Sequence, residues 1–148
     1  RTIPLDEFFV GPGKTVLQPD ELLTEIRVPQ TAPASGSAYV KIGRVSGDIA
    51  KVNAAVALER EGGVCTGCRI ALGSVGPTVV RGRGAESRLL GETVSLSLIR
   101  AAARQAAEEI RPITDLRSTA TYRKTVTAVM LEELLITAWG RAGGGLPK

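Results

Sequence analysis

Histidine is absent from all 148 residues. That gap removes the usual general base, the Ser-His and Cys-His nucleophile pairs and the commonest metal ligand. Cysteine occurs twice, as Cys65 and Cys68. The C-x-x-C spacing has no second Cys or His pair with which to complete a tetrahedral zinc site, so no metal is expected on this chain. Both cysteines fall within a predicted strand, where residues three apart point to opposite sides of a sheet. They are therefore expected to share neither a metal nor a disulfide, and to stay reduced in a cytoplasmic chain. Aromatic residues make up 3% of the sequence. A binder of single-stranded nucleic acid needs aromatic platforms along a basic groove, so nucleic acid is not expected as a partner. Net charge is +4, from 14 arginines and 5 lysines, but these are scattered, with Arg81, Arg83 and Arg88 the one cluster. Such a surplus reads as a partner surface or a solvated face. No run of 18 apolar residues is present, so membrane insertion is not expected. No charged segment followed by an apolar one opens the chain, and nothing suggests export. The first residue is Arg1 rather than Met, which suggests a processed product or a piece of something longer.

What the sequence does have is alternation. Val52, Ala54, Val56 and Leu58 recur at period two, the spacing of one strand face. Arg60-Glu61-Gly62-Gly63 supplies a tight reversal. Val64 to Val75 returns as a second strand, with Cys68, Ile70 and Leu72 alternating. Tyr39 to Val45 is a shorter run ahead of both, joined through Ser46-Gly47-Asp48. An antiparallel meander needs the shortest connections. The length suits one domain, or one domain with an appendage.

The remaining segments fill in around that meander. Thr2 to Phe9 starts extended, with Leu5, Phe8 and Phe9 as core anchors, and Gly11-Pro12-Gly13 makes a turn. Gly13-Lys14-Thr15 is not a phosphate loop, because the glycine required five places earlier is Phe8. Pro19-Asp20-Glu21 bends the chain, Leu22 to Val28 reads as a strand ended by Pro29, and Gln30 to Ser37 as a loop. Gly82, Gly84 and Ser87 fall short of G-x-G-x-x-G. Ala85 to Leu90 suits a short helix closed by Gly91. Ser95 to Ile110 places Leu98, Ala102, Ala106 and Ile110 on one helical face, beside Leu96, Ile99 and Ala103. Ser118 is the N-cap candidate for a last helix running to about Gly140, with Val126, Val129, Met130, Leu134 and Ala138 buried. Ala142 to Lys148 reads as a glycine-rich tail. Strands first and helices later predict an α+β fold: an antiparallel sheet of three to four strands, packed on one face by about three helices.

Seven segments in collinear order carry a further signal: PLDEFF, LLTEIRVP, YVKIGR, DIAKVNAAVAL, CRIALGSVGPTVVR, AESRLLG and DLRSTATYRKTV. Together they resemble the flavoprotein medium subunit of the molybdenum hydroxylases, a family that includes xanthine dehydrogenase and carbon monoxide dehydrogenase. The resemblance runs from Arg1 to about Ala142. It implies that residues 1–35 are the tail of an FAD-binding domain and its linker. Residues 36–142 would be the α+β domain that follows, and 143–148 a disordered tail. The segments that grip the FAD pyrophosphate lie in the family's N-terminal half, which nothing here matches. FAD is then the cofactor of the intact subunit. The implied partners are the missing FAD-binding half, a molybdenum-binding large subunit and an iron-sulfur small subunit.

By position in the family, Leu23 and Lys41 correspond to residues that approach the isoalloxazine. An apolar side chain can pack on the ring, and a lysine can stabilise electron density gained on reduction. Arg44 and Asp48, in the loop that follows, can set the local field or pair with each other and fix the turn. The loop is one residue shorter than in xanthine dehydrogenase, so no part in choosing the electron acceptor carries over. Asp115, Arg117, Tyr122 and Arg123 read as structural, with Asp115 and Ser118 turning the chain and the arginines pairing with carboxylates or carbonyls. The alternative is a stand-alone structural or interaction domain without flavin.

Overall fold

The computed structural model describes residues 1–145. Helix α1 (Leu5–Phe8) is a single turn leading into a small hairpin of β1 (Phe9–Gly11) and β2 (Lys14–Thr15). The main sheet has four strands, β3 (Ser35–Ile42), β4 (Val52–Glu61), β5 (Val64–Gly73) and β6 (Val80–Arg81), antiparallel in the order β3-β4-β5-β6. Helices α2 (Arg83–Leu89), α3 (Leu96–Glu109) and α4 (Ala120–Arg141) follow. The α+β expectation and the meander hold. No helix among the described residues is long and apolar enough to cross a membrane.

Alternation on β4 organises the core as its sequence dictates. Val52, Ala54, Val56 and Leu58 are buried, joined from β5 by Ile70 and Leu72 and from β3 by Ala38. Helix α4 covers β3 and β4, α2 packs on β5, and α3 bridges the two helices. Ser95 caps α3 by accepting from Leu98 N at 3.2 Å, and Ile99, Ala102, Ala103 and Ala106 face inward. Full burial of a side chain the size of Ile70 or Leu131 contributes about 1.5–3 kcal/mol. The sheet approaches α4 closely at one glycine. A Cβ at Gly36 would lie 2.1 Å from Ala138 O and 2.5 Å from Ala142 N, so no side chain fits there.

Several expectations require correction. Leu22 to Val28 forms no strand. Among the described residues its backbone joins no backbone hydrogen bond, and Leu22 and Val28 are 86% and 83% exposed. Its alternation suits a strand, but no neighbouring strand is there to pair with it. Leu5 and Phe9 are exposed rather than core anchors, for want of a layer above them. Val129 lies on the solvent side of α4, whose buried stripe instead runs through Arg123, Thr127, Met130, Leu131, Leu134, Leu135, Ala138 and Trp139. The cap of α4 is Thr119, one residue later than expected, accepting from Tyr122 N at 3.1 Å. Strand β3 starts at Ser35, inside the expected loop.

The cysteines are also corrected. Glu59 pairs with Gly67 and Arg60 with Cys65, leaving Thr66 as an extra residue in a β-bulge. One extra residue reverses the alternation that follows it. Cys65, opposite Arg60, and Cys68, opposite Leu58, therefore turn to the same, helix-covered side. Cys65 is buried, Cys68 half-buried, and both are free thiols. The Cys65 neighbour and burial hold the Cys68 thiol above its ordinary range.

The first described residues of the expected tail make the closing contacts of α4. Gly143, at φ 80°, closes α4 by donating to Gly140 O at 2.9 Å, and Gly144 N donates to Trp139 O at 2.9 Å. This is the left-handed glycine stop favoured at helix ends. Arg60 Nε donates to Ala142 O at 2.6 Å and Arg141 Nη1 to Ser37 O at 2.6 Å, fastening the helix end to the sheet. The rest of that expectation, residues 146–148, lies outside the described residues.

Candidate functional site

Helices cover one face of the main sheet, and β3, β4 and β5 turn their other side chains away from them. Tyr39 and Lys41 stand on that open face of β3, because Ala38, Val40 and Ile42 face the core. Tyr39 is opposite Ala55, which is opposite Ala71. In the next rows Lys41 is opposite Asn53 and Gly73, and Ser37 is opposite Ala57 and Arg69. The middle of this face is thus paved with Ala55, Ala57 and Ala71, and Asn53 lies over Gly73, with Oδ1 2.3 Å from where a Cβ would stand. Small residues keep its middle low between Tyr39 and Arg69, and its edge carries a lysine.

Lys41 ties the neighbouring loop down. Its Nζ donates to Ser46 O at 2.7 Å and to Asp48 O at 3.0 Å. Arg44 Nε donates to Asp48 Oδ2 at 2.8 Å, while Asp48 Oδ1 accepts from Ile49 N at 2.9 Å. The Arg44 guanidinium holds the Asp48 carboxyl below the usual carboxylate range and is itself raised by it. Both stay ionised near neutral pH. The structure therefore brings three of the sequence-predicted site residues, Lys41, Arg44 and Asp48, into one hydrogen-bonded loop. Leu23 does not join them; it sits on the unpaired segment and is 57% exposed.

A second cluster forms where the segment before α4 meets the ends of β4 and β5. Arg123, on the first turn of α4, is 3% exposed. Its Nη1 donates to Lys51 O at 2.6 Å and to Ser74 O at 2.9 Å, and its Nη2 to Asp115 Oδ1 at 2.7 Å. Asp115 also accepts from Arg117 N at 2.9 Å and Ser118 N at 3.1 Å, and pairs with Arg117 Nη1 at 3.2 Å. Burial pushes the Asp115 carboxyl up, but those amides and Arg123 outweigh it and bring it down to about 2. Asp115, Arg117, Ser118 and Arg123 thus hold one another and the ends of β4 and β5 together, as their structural reading expects. Tyr122 is partly exposed, with Lys51 Nζ 5.6 Å from its ring centre.

Beside Arg123 lies a cavity of about 400 Å³. Arg111, Asp115, Arg117 and Arg123 form its polar lining; Ile49, Ile113, Pro12 and Pro77 are among its apolar walls. Sequence reasoning did not anticipate it, because its lining comes from four separate stretches of chain. The one available signal was a charged residue, Arg123, at a stripe position of a mostly apolar helix face. Among the described residues no three His, Cys, Asp or Glu side chains gather as metal ligands.

Comparison with known proteins gives this geometry a context. Residues 37–138 match the CO dehydrogenase flavoprotein C-terminal domain. The chain is 40% identical over 141 residues to the carbon monoxide dehydrogenase medium chain of Hydrogenophaga pseudoflava, covering 95% of this chain and 49% of that one. It is 28% identical over 148 residues to a putative xanthine dehydrogenase FAD-binding subunit of Escherichia coli, covering 99% and 51%. The solved carbon monoxide dehydrogenase from Hydrogenophaga pseudoflava superposes with a TM-score of 0.91 over 95% of this chain and 49% of that chain, at 40% identity. Quinoline 2-oxidoreductase from Pseudomonas putida superposes at 0.82, with 29% identity, over 92% and 47%. The chain spans about half the length of the relatives it matches. From Ser37 to Ala138, this chain belongs to the CO dehydrogenase flavoprotein C-terminal domain family.

Proposed function

We propose that this chain is the C-terminal part of the FAD-binding medium subunit of a molybdenum hydroxylase. In that role it walls one side of the flavin site and docks on neighbouring subunits. The open sheet face is the observation that carries the reading. A planar ring needs a flat floor, and Ala55, Ala57 and Ala71 supply a small one bordered by Tyr39 and Arg69. The residues present fit the group: an apolar floor, and at its edge a lysine whose ammonium is already oriented by two carbonyls. The chemistry a bound FAD supplies is electron acceptance and release. Lys41 contributes a fixed positive charge beside it, and the Arg44–Asp48 pair keeps the loop from moving that charge. Leu23 would pack on the ring once its segment is held by the other half of the subunit.

The family and its relatives support the larger assignment. Substrate oxidation belongs to a molybdenum-binding large subunit. Electrons then pass through an iron-sulfur small subunit to FAD and on to an external acceptor, in the cytoplasm. The isolated chain is inactive in this reading, because the half that grips the cofactor is elsewhere.

The test is FAD titration of the chain joined to the N-terminal half of its subunit, followed by the visible flavin spectrum and heat of binding. Ala55→Trp, which raises a ring on the open face, is expected to abolish binding, and Lys41→Ala to weaken it about tenfold. Unchanged FAD affinity in both variants overturns the reading. A second reading, an interaction domain without flavin, has one observation in its favour: Lys41 is already engaged by Ser46 O and Asp48 O. Folded protein that takes up no FAD with the other half present would establish it.

A further inference from the structure

The cavity beside Arg123 lies outside the open face assigned to the flavin, and neither Lys41 nor Arg44 lines it. Three arginines, Arg111, Arg117 and Arg123, line it with a single carboxylate, Asp115. That carboxylate is already engaged: it accepts from two backbone amides, from Arg117 and from Arg123. The lining keeps an excess of positive charge. Arg123 is nearly fully buried, and its Nε is a buried donor with no acceptor among the described residues. Arg111 Nη1 is held by Glu108 O and Ile110 O, and Arg117 Nη1 by Asp115, so both guanidiniums are fixed at one nitrogen. For Arg111 and Arg117, Nε and Nη2 have no protein acceptor among the described residues.

We propose that this cavity is a binding site for a small organic anion: a carboxylate gripped by Arg111 and Arg117, carried on an apolar body that packs against Ile49 and Ile113. Each part follows from the lining. Planar guanidiniums match a carboxylate's two oxygens. The apolar walls would waste their contact area on a bare inorganic ion. The volume suits a small molecule, since ligand cavities run from about 300 to 1,000 Å³. Arg123 acts as the floor, positioned by Lys51 O and Ser74 O rather than free to move.

Benzoate is the probe, titrated into the chain by calorimetry and by amide chemical shifts, with benzamide and inorganic phosphate in parallel. The expected result is saturable benzoate binding that shifts the amides of Ile49, Ile113 and Arg117. Benzamide, which keeps the ring and loses the charge, should bind at least tenfold more weakly, and so should phosphate. Arg117→Gln and Arg111→Gln alter side chains with one end exposed, so the fold should survive, and each should weaken benzoate about tenfold or more. No saturable benzoate binding up to about 10 mM, well above the Kd a carboxylate gripped by two arginines should show, overturns the proposal. So does benzamide binding as well as benzoate, or binding untouched in both variants. Phosphate binding as tightly as benzoate removes the organic body from the proposal and overturns it in this form. None of these readouts involves flavin, so failure here leaves the flavin reading standing, and the reverse.

Discussion

Replacing Arg123 with methionine tests whether one buried guanidinium holds the sheet, the last helix and the segment before it together. Methionine keeps much of the length and packing of the side chain but donates no hydrogen bond. Lys51 O and Ser74 O, held at 2.6 and 2.9 Å, would both be stripped of their partner. A buried polar group left unpaired costs about 1–3 kcal/mol, so the two carbonyls together cost about 3 kcal/mol. Asp115 retains its two amides and Arg117, and solvent screens what it loses. In urea, with a slope of about 1–3 kcal/mol/M, the midpoint should fall by about 1–3 M. The melting temperature should drop by about 6–12 °C, at about 2–4 °C per kcal/mol for a chain of this size. Arg123→Lys should recover less than half, because one ammonium on a shorter reach cannot serve three acceptors on separate elements. A methionine variant whose urea midpoint stays within about 0.2 M of the parent, at the same slope, would refute the reasoning. The carbonyls would then be satisfied some other way, and Arg123 would be a passenger on its helix.

Other outcomes follow from the same geometry. Asp115 is held at about 2 against an ordinary 3.8. Its contribution to stability is present above about pH 4 and is lost as the pH falls towards 2. Acid titration of unfolding should therefore be flatter in Asp115→Asn than in the parent over that window, and parallel curves would exclude the mechanism. Gly36→Ala puts a methyl into the backbone of α4 and should cost about 1–3 kcal/mol or more. Urea denaturation measures it, and an unchanged midpoint would mean that β3 and α4 are not in that contact. Neither Cys65 nor Cys68 should react with a thiol reagent in the folded chain on the time scale of an exposed cysteine, and both should react in urea; rapid labelling of native protein contradicts their burial on the helix side.

The sheet and long helices were legible in the sequence because their signals are local. Period two on β4 and the apolar face of α3 each name their own elements, and the buried sides came out as read. The Leu22–Val28 segment shows the limit. Its pattern is a strand's, yet a strand needs a neighbour, and alternation says nothing about whether one is present. The cysteines show another. A single bulge at Thr66 reverses the faces of a whole strand end, and the only hint was Gly67 inside the strand. At the candidate site, Lys41, Arg44 and Asp48 lie within eight positions of one another, so their association was readable. The cavity lined by residues from Pro12 to Arg123 was not, because tertiary packing alone assembles it.

The fastening of α4 to β3 has a consequence for how the molecule is made. Arg141 reaches Ser37 across 104 residues, and Arg60 reaches Ala142 across 82. The first strand of the sheet to leave the ribosome is therefore completed by the last turn of the last helix. At about 5–20 residues per second, synthesis separates the two by about 5–20 s. Through that interval the edge of β3, and the groove at Gly36 that α4 will fill, stay open. Contacts this distant in sequence also slow closure. The main sheet thus depends on α4 to cover its first strand, and a pause in synthesis before α4 emerges would leave that strand available to other chains.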